Sequence, residues 1–278
     1  ASSEMEFLDT WGVMVGEEGR GIRTIIDMVQ GNRYYCCFSS AALMRQGLVQ
    51  ALHHTAHRTA FQKKLIDQPL MKNVLADLAI EVEAALALTL RVGRAMDEAE
   101  SNESAAALAR IGTAIGKYWV CKRAPGHIYE ALECHGGPGY IEDSIMPRLY
   151  REAPLNSIWE GSGNVMCLDV LRALGREPAA IPALLEELDA ARGGHNLLDA
   201  AIDALKMELA DLENLELRAR GITELMATAL QGALLVRHAP LEVADAYCVS
   251  RLGQRWTGAY GTLPTDMDFD TIIARAAA

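Results

Sequence analysis

The chain has 278 residues, half of them apolar, and its formal net charge at pH 7 is −11. This length and apolar content suffice for a sizeable core in one large domain or two small ones, and they indicate a globular protein. Because the negative charge is spread along the chain, it repels nucleic acid and anionic membranes, and any polyanionic partner needs a local basic patch.

The N-terminal segment predicts β-structure. Residues 5–15 (MEFLDTWGVMV) alternate in part between apolar and polar side chains ahead of the turn sequence GEEGRG, which is typical of one or two strands. A sheet needs several strands to bury a face, and no other convincing strand pattern follows, so we expect the partner strands upstream. A start at Ala1 rather than Met fits processing, a designed boundary or a proteolytic cut, and the orphan strand favours the cut.

From about residue 19 the apolar period becomes helical, and the pattern predicts four long helices. The first covers 21–57, the second begins after DQP at residue 70, with Pro69 tolerated at its first turn, and the third covers about 103–134. An apolar stripe with three-four spacing marks the face of the second helix that points to the core. The stripe consists of Met71, Val74, Leu75, Leu78, Val82, Ala85 and Leu86.

Glycine and proline residues separate the remaining helices. The sequence HGGPGY ends the third helix with a left-handed glycine cap, and Pro138 prevents continuation. The fourth helix contains VMCLDVLRAL, with Ser162 or Asn164 as its N-cap. After Gly175 and Pro178 a run of shorter amphipathic helices and a short last helix follow. The run is expected at about 179–192, 196–217, 220–237 and 240–254.

Six cysteines lie mostly within apolar segments and lack the CxxC or cysteine–histidine spacing of a metal site. We therefore expect buried, reduced thiols, no bound metal and a reducing, cytoplasmic compartment. No apolar run approaches the ~20 uncharged residues of a membrane span, and no signal peptide opens the chain. The expected protein has no membrane partner.

The stretch REAPLNSIWEGSGN (151–164) places Glu160 ahead of a Gly-Ser-Gly break, where helix stability alone would not put it. The start of the next helix favours an ionised carboxylate there, whereas Ile158 and Trp159 partly desolvate it. A carboxylate held in this way can act as a base that removes a carbon-bound proton. The alternative is a solvated glutamate in a loop, and spacing alone does not decide between the two.

Two further motifs predict contact with phosphate groups. In HRTAFQKKLIDQPL, Arg58, Phe61 and Gln68 surround a turn that could hold phosphate oxygens, although a basic loop between two helices is more often simply solvated surface. In HGGPGY, Gly136 and Gly137 allow a ligand to approach backbone N–H groups. No strand precedes this motif, which excludes a Rossmann or Walker loop and leaves a plain helix cap as the alternative.

The histidines carry no recognisable ligand spacing. His53, His54, His57 and His127 lack spacing to a carboxylate or cysteine set, and we interpret them as packing or surface residues.

The order of the motifs resembles the C-terminal half of the acyl-CoA dehydrogenase family. The matching segments are GEEGRGI, RTAFQKKLIDQPLMKNVLADLA, a lysine at Lys117, HGGPGYIEDS, RLYREAP and IWEGSGN, and they cover about 1–176. Glu152, Trp159 and EGSGN, in place of the usual aspartate, tyrosine and EGTS, point to the alkylation-response (AidB-type) branch. The extra helices after residue 176 also fit that branch.

The resemblance implies roles for the residues of the first motif. Glu160 matches the usual family base, which removes the α-proton of an acyl thioester while the β-hydrogen leaves as hydride to the flavin. Trp159, Ser162 and Asn164 are then expected at the FAD cofactor. Arg33 matches an arginine near the acyl-CoA channel, and an ordinary arginine on the helix surface is nearly as good an interpretation.

The resemblance also implies that the chain forms a homo-oligomer, a dimer or a tetramer. Arg58, Phe61 and Gln68 would bind the pyrophosphate and adenosine end of FAD from a neighbouring subunit. Gly136 and Gly137 would contact the cofactor through their backbone.

The predicted fold is mainly α: an up-down helical bundle with a residual N-terminal β-strand and an extra C-terminal helical extension. The expected domains are a remnant of the central β domain (1–18), a four-helix flavin-binding domain (19–176) and the extension (177–278). Because the upstream domains that cover the flavin ring and shape the acyl pocket are absent from the chain, we expect no turnover by the chain alone. The segment is interpreted as a stable piece left by proteolysis between domains.

Members of the AidB-type branch are associated with DNA through the extension, which makes a non-catalytic protein that binds DNA or sequesters acyl-CoA the alternative function. Residues 176–278 contain nine Lys and Arg against sixteen Asp and Glu, so 9 − 16 gives a net charge of −7. This charge opposes DNA binding unless folding gathers cations on one face. The candidates for such a patch are Arg218, Arg220, Arg251 and Arg255.

Overall fold

The computed structural model describes residues 3–253 and 258–277 and shows a mainly helical protein, as predicted. The long helices α1, α2 and α3 pack against one another, and α6 packs on α3. Two short helices, α4 and α5, connect α3 to α6. Their bounds are α1 Gly21–His57, α2 Pro69–Glu98, α3 Glu103–Glu133, α4 Gly137–Tyr140, α5 Met146–Glu152 and α6 Gly163–Arg176.

Local sequence explains where these helices begin. Pro69 occupies the first turn of α2, where the missing N–H costs no hydrogen bond. Asn102 caps α3 by accepting a hydrogen bond from the backbone N of Ala105 at 3.1 Å. The predicted stripe of α2 faces the core: Leu75, Leu78, Val82 and Ala85 are buried, and Met71, Val74 and Leu86 pack against them at its edge.

In the part of the C-terminal extension that the structure describes there are five further α-helices, of which α7, α9, α10 and α11 contact the bundle and α8 packs on α9. One continuous hydrophobic core runs from α1 through the bundle into the extension, because α9 packs against α2, α3 and α6. A turn of π-helix, Cys248–Leu252, follows α10. The helices are α7 Ala180–Asp189, α8 Asn196–Ala210, α9 Leu215–His238, α10 Leu241–Tyr247 and α11 Phe269–Ala277.

The predicted strands over 5–15 are wrong. Within the described residues 3–20 the structure has no strand, and the large apolar side chains of this segment are exposed. A strand without a hydrogen-bonding neighbour has no reason to form. The described strands are instead two short ones, β1 (Thr59–Ala60) and β2 (Lys63–Lys64), which form an antiparallel hairpin directly after α1.

The extension also departs from the predicted bounds. The helix expected over 196–217 ends at Ala210, and α9 begins at Leu215 rather than at residue 220. The segment expected as one helix over 240–254 is an α-helix followed by the π-helical turn, and residue 254 lies outside the described residues. All six cysteines are free and buried, as predicted.

A buried ionic cluster joins the extension to the bundle. Arg251, from the π-helical turn, donates hydrogen bonds to Asp77 and Glu81 of α2, and Arg123 of α3 donates to Glu81 at 3.1 and 3.2 Å. Burial by itself would raise the pKa of Glu81, but the two guanidinium groups lower it to about 2. The four side chains therefore neutralise one another inside the core.

Within the part of the chain that the structure describes, no helix is long and apolar enough to cross a lipid bilayer.

Candidate functional site

Glu160 lies in a tight turn between a 3₁₀ turn at Leu155–Ser157 and α6. Its φ is +58° and that of Gly161 is +116°, so two consecutive residues occupy the left-handed half of backbone space. A Cβ at Gly161 would come within 2.6 Å of the end of the Met166 side chain. The glycine after Glu160 is therefore required by both conformation and space.

Two cations hold the backbone of this turn. The ammonium group of Lys117 donates hydrogen bonds to the carbonyl oxygens of Asn156, Trp159 and Gly161 at 3.0, 2.8 and 2.6 Å. Arg33 of α1 donates from Nε to the carbonyl oxygen of Glu160 at 3.0 Å. Burial lowers the pKa of Lys117, which is only 1% exposed.

The carboxylate of Glu160 is partly buried and accepts a hydrogen bond from Asn32 Nδ2 at 3.2 Å. The thiol of Cys36 lies near it, and burial raises the pKa of that thiol. Beside it, Trp159 donates its indole N–H to Asn156 Oδ1 at 3.1 Å and keeps 44% of its surface exposed. The carboxylate is thus oriented by the protein, while the adjacent ring is open to a partner group.

Arg33 is also tied to α6. Its Nη1 lies 3.1 Å from Asp169 Oδ2, and the same carboxylate accepts hydrogen bonds from Arg110 and Arg172. The guanidinium group predicted to lie near an acyl-CoA channel is therefore engaged with the Glu160 turn and with α6. Its contact with substrate stays a prediction.

The N-terminus of α6 follows the turn directly. The sequence offered Ser162 or Asn164 as the N-cap of α6, and the structure has Ser162 in that position. Within the described residues the Ser162 hydroxyl accepts no hydrogen bond from a backbone N–H of the helix. The side-chain oxygen of Asn164 accepts a hydrogen bond from Arg220 Nε at 2.9 Å. Ser162 is exposed, so its hydroxyl and the first N–H groups of α6 face outwards next to Glu160.

A second group of predicted residues meets on the hairpin after α1. Phe61 and Gln62 form its tip with φ of +51° and +67°, and the Phe61 ring is 92% exposed. The side chain of Gln68 donates to the carbonyl oxygen of Ala60 at 3.3 Å, which fixes the base of the hairpin. Arg58 is exposed at the end of α1. The hairpin thus presents an aromatic ring and cations on a rigid projection.

The predicted glycine pair lies beside this hairpin. The imidazole rings of His54 and His135 stack across the ends of α1 and α3 with centroids 4.8 Å apart, which brings Gly136 next to the turn that holds Arg58. A Cβ added at Gly136 or Gly137 would meet no described atom within 4 Å. The backbone of the pair is therefore open to a ligand.

The two groups lie far apart within one chain. Arg33 contacts the Glu160 turn and Arg58 begins the hairpin, and both belong to α1 or its C-cap. Twenty-five helical residues separate them, which corresponds to roughly 37 Å. This distance exceeds the length of an extended dinucleotide.

Sequence reasoning missed part of this site. Asn32 and Asp169 belong to no recognised motif. Asn32 reaches Glu160, and Asp169 holds Arg33, across more than a hundred residues each. His135 was noticed only as part of a helix cap. Lys117 carried a usable signal, because a single lysine within the apolar run AIGKYWVC indicates a buried cation with partners.

Comparison with known proteins identifies the bundle. Residues 19–175 match the acyl-CoA dehydrogenase C-terminal domain. The chain belongs to the acyl-CoA dehydrogenase family. The match covers α1 to α6, which includes both the Glu160 turn and the hairpin.

Relatives extend the similarity of this family member into the C-terminal extension. It is 40% identical over 255 residues to the AidB protein of Escherichia coli (strain K12), covering 92% of this chain and 47% of that protein. The crystal structure of Caenorhabditis elegans ACDH-11 in complex with C11-CoA superposes with a TM-score of 0.76 at 28% identity, covering 89% of this chain and 47% of that one.

A more distant structure shares the fold alone. The Bacillus anthracis acyl-CoA dehydrogenase complexed with FAD superposes with a TM-score of 0.68 at 18% identity, covering 94% of this chain and 50% of that one. The chain therefore spans about half the length of the relatives it matches.

Proposed function

We propose that the chain is the flavin-binding helical part of an FAD-dependent acyl-CoA dehydrogenase-type flavoprotein that acts in fatty acid metabolism. Glu160 is the base that removes the α-proton of an acyl thioester. The observation that carries this proposal is the Glu160 turn, in which a partly buried carboxylate is oriented by Asn32 and its backbone is held by two cations. For a general base, a fixed geometry is the first requirement and a shifted pKa the second.

The residues present fit FAD. The open backbone of Gly136 and Gly137 and the cationic hairpin at Arg58 suit a pyrophosphate and an adenosine, with Phe61 and Gln68 beside them. Around the Glu160 turn, the residues that would hold the flavin ring are Trp159, Ser162 and Asn164.

In the proposed reaction the protein contributes proton transfer and orientation. Bound FAD supplies the acceptor for the hydride that leaves the β-carbon. The Glu160 carboxylate takes the α-proton, so that the two C–H bonds break towards different acceptors. Trp159 packs beside the reacting carbons and excludes water from them.

The separation of roughly 37 Å along α1 supports a site shared between two copies. One copy contributes the Glu160 turn, and the hairpin of a neighbouring copy contributes Arg58, Phe61 and Gln68. The protein is therefore a homo-oligomer, a dimer or a tetramer, in which cofactor binding and assembly depend on each other. The chain by itself is expected not to turn over substrate.

The test uses the full gene product and a panel of acyl-CoA thioesters in a dye-coupled oxidation assay. Glu160→Gln keeps the shape of the side chain and removes the base, so kcat should fall by about 10² to 10⁴ while FAD stays bound. Glu152→Gln changes an exposed glutamate of the same motif and should leave the rate unchanged. Oxidation by Glu160→Gln at the wild-type rate would remove Glu160 from the mechanism.

A non-catalytic flavoprotein of the AidB type is the second candidate, and the C11-CoA complex of the C. elegans relative favours sequestration of acyl-CoA over DNA binding. Tight acyl-CoA binding without turnover by a yellow, FAD-containing protein would support it. Cofactor-free purified full-length protein would instead indicate a purely structural helical module.

Of the four cations proposed for a DNA patch, the three that the structure describes already have side-chain partners. Arg251 is buried with Asp77 and Glu81, so the prediction that it could join a surface patch is wrong. Arg218 pairs with Glu208 and Asp211. Of the other two candidates, Arg220 donates to the side chain of Asn164, and Arg255 lies outside the described residues.

A salt titration of DNA binding decides the nucleic-acid version of this alternative. We expect no affinity at low ionic strength, because residues 176–278 carry a net charge of −7 and, among the described candidate cations, Arg218 and Arg251 are paired with carboxylates. Tight, salt-dependent binding would contradict that expectation.

A further inference from the structure

We infer that Lys117 is the positioning residue of the proposed reaction: its ammonium group fixes the Glu160 turn and so sets the direction of the carboxylate. This inference rests on the proposed role of Glu160. Lys117 touches neither the carboxylate nor a substrate, because its contacts are with backbone oxygens on both sides of Glu160.

The geometry uses the whole hydrogen-bonding capacity of the ammonium group. Lysine has three N–H donors, and the three carbonyl oxygens lie 2.6 to 3.0 Å from Nζ. All three acceptors belong to the six residues 156–161. Loss of the ammonium would therefore act on this turn before it acts on the rest of the fold.

Burial makes the arrangement specific for a cation with carbonyl partners. At 1% exposure Lys117 has given up hydration, and the carbonyl dipoles replace the water. Its neighbours Cys36, Cys37 and Cys121 are buried thiols whose pKa values burial raises, so they are protonated and supply no counter-charge. The oriented carbonyl groups are what keeps the charged side chain in place.

The turn needs such a restraint because its backbone is strained. Left-handed φ at a glutamate persists only where the surroundings over-determine it. Without the Lys117 contacts the peptide on either side of Glu160 can rotate, and the carboxylate then leaves its hydrogen bond with Asn32. A displacement of about 1 Å at a catalytic group can cost about 100-fold in rate.

Arg33 cannot replace this function. Its one hydrogen bond to the turn goes to the carbonyl oxygen of Glu160, and its other described partner is Asp169 on α6. Arg33 therefore links two helices as well as the turn, whereas the described hydrogen bonds of Lys117 all end within the turn. Substitution of Lys117 is the cleaner test.

The experiment compares Lys117→Met with Gln231→Leu in the full gene product. Methionine keeps the length of the side chain and removes its donors. Gln231 is equally buried, but its hydrogen bonds go to Trp119 and Tyr247 rather than to the turn, so its variant reports on general loss of stability. Steady-state kinetics and hydrogen–deuterium exchange of the peptide covering 155–165 are measured for both variants.

For Lys117→Met we expect kcat to fall about 100-fold with KM within about threefold of wild type, together with faster exchange in 155–165. Gln231→Leu should lower the melting temperature and leave both readouts at wild-type values. Lys117→Gln, which keeps two donors, should show the same pattern with a smaller loss and serves where the methionine variant does not fold.

The two hypotheses fail in different ways. If the wild-type protein oxidises no acyl-CoA, the proposed function fails, and the exchange measurement alone still decides whether Lys117 holds the turn. If Lys117→Met or Lys117→Gln folds with unchanged exchange in 155–165, or with wild-type kcat in an active protein, the inference is overturned.

Discussion

Lys117 and Arg251 are both almost completely buried, at 1% and 5% exposure, but they face different partners. Arg251 lies against two carboxylates, and with Arg123 it forms a cluster whose charges cancel. Lys117 lies against three backbone carbonyl groups, and no carboxylate is among its described hydrogen-bond partners. The first arrangement joins two parts of the fold, and the second leaves a positive field beneath a carboxylate.

This difference separates a structural from a functional use of buried charge. The charges of the cluster compensate one another only while its four side chains remain in contact. The cluster therefore restrains the position of the extension. A cation bound by carbonyl dipoles orients the peptides that carry those dipoles, and here the peptides flank Glu160. The two sites should therefore respond differently to substitution and to pH.

Arg251→Met gives the largest expected effect. It leaves Asp77 and Glu81 buried with only Arg123 to compensate them, and the free energy of unfolding should fall by about 3 to 5 kcal/mol in urea denaturation. Arg151→Met breaks an exposed pair with Glu142 and should cause no measurable change. Equal stabilities of the two variants would show that the cluster does not join the extension to the bundle.

The pH dependence of stability should report on the same cluster and on His127, which lies near its charges. Burial lowers the pKa of His127 to about 4, so the folded state binds fewer protons than the unfolded state between about pH 6.5 and 4. Stability contributed by neutral His127 is complete above pH 6.5 and is lost as the pH falls through this window, on the order of 3 kcal/mol. Glu81, with a pKa of about 2, adds a second loss below about pH 4.5.

His127→Gln separates the two windows. Glutamine can still donate to the carbonyl oxygen of Leu78, the partner of the imidazole at 3.1 Å, but it does not titrate. The slope between pH 6.5 and 4.5 should flatten, and the loss below pH 4.5 should remain. An unchanged slope in the upper window would assign that proton uptake to another group.

Gly161→Ala gives the smallest of these effects on stability and probes the turn. The alanine must adopt a φ of +116°, so we expect the free energy of unfolding to fall by about 1 to 3 kcal/mol, mostly from backbone strain. Gly175→Ala, in α6 and without a positive φ, should raise stability slightly. If both substitutions had the same sign, strain at the turn would not be the cause.

Local pattern accounts for most of the helices. Pro69 and Asn102 begin α2 and α3 where expected, because their capping chemistry is local. The predicted strands over 5–15 failed because a strand depends on neighbours, which the described chain does not supply. The start of a helix can thus be predicted from the residues of its first turn, whereas a strand forms only where another segment of the chain supplies hydrogen-bonding partners.

The candidate site was predicted by motif and not by geometry. Glu160 and the glycine after it were identified in the sequence, but the Arg33 contact with the turn spans 127 residues and follows no spacing rule. For Arg251 the prediction was wrong in the other direction. The sequence suggested a surface cation, and nothing in it indicated that Arg251 would be buried against Asp77 and Glu81 of α2. Long-range ion pairs of this kind emerge only from the packed structure.

The cluster around Arg251 also constrains how the protein is made. Asp77 emerges from the ribosome 174 residues before Arg251, which pairs with it in the core. During that interval the nascent chain lacks one of the two arginines that compensate the buried acids of α2, which opposes early closure of the bundle. Completion of this part of the core is thereby deferred until the π-helical turn has been synthesised, and a product stalled before that turn would be a natural target for chaperones.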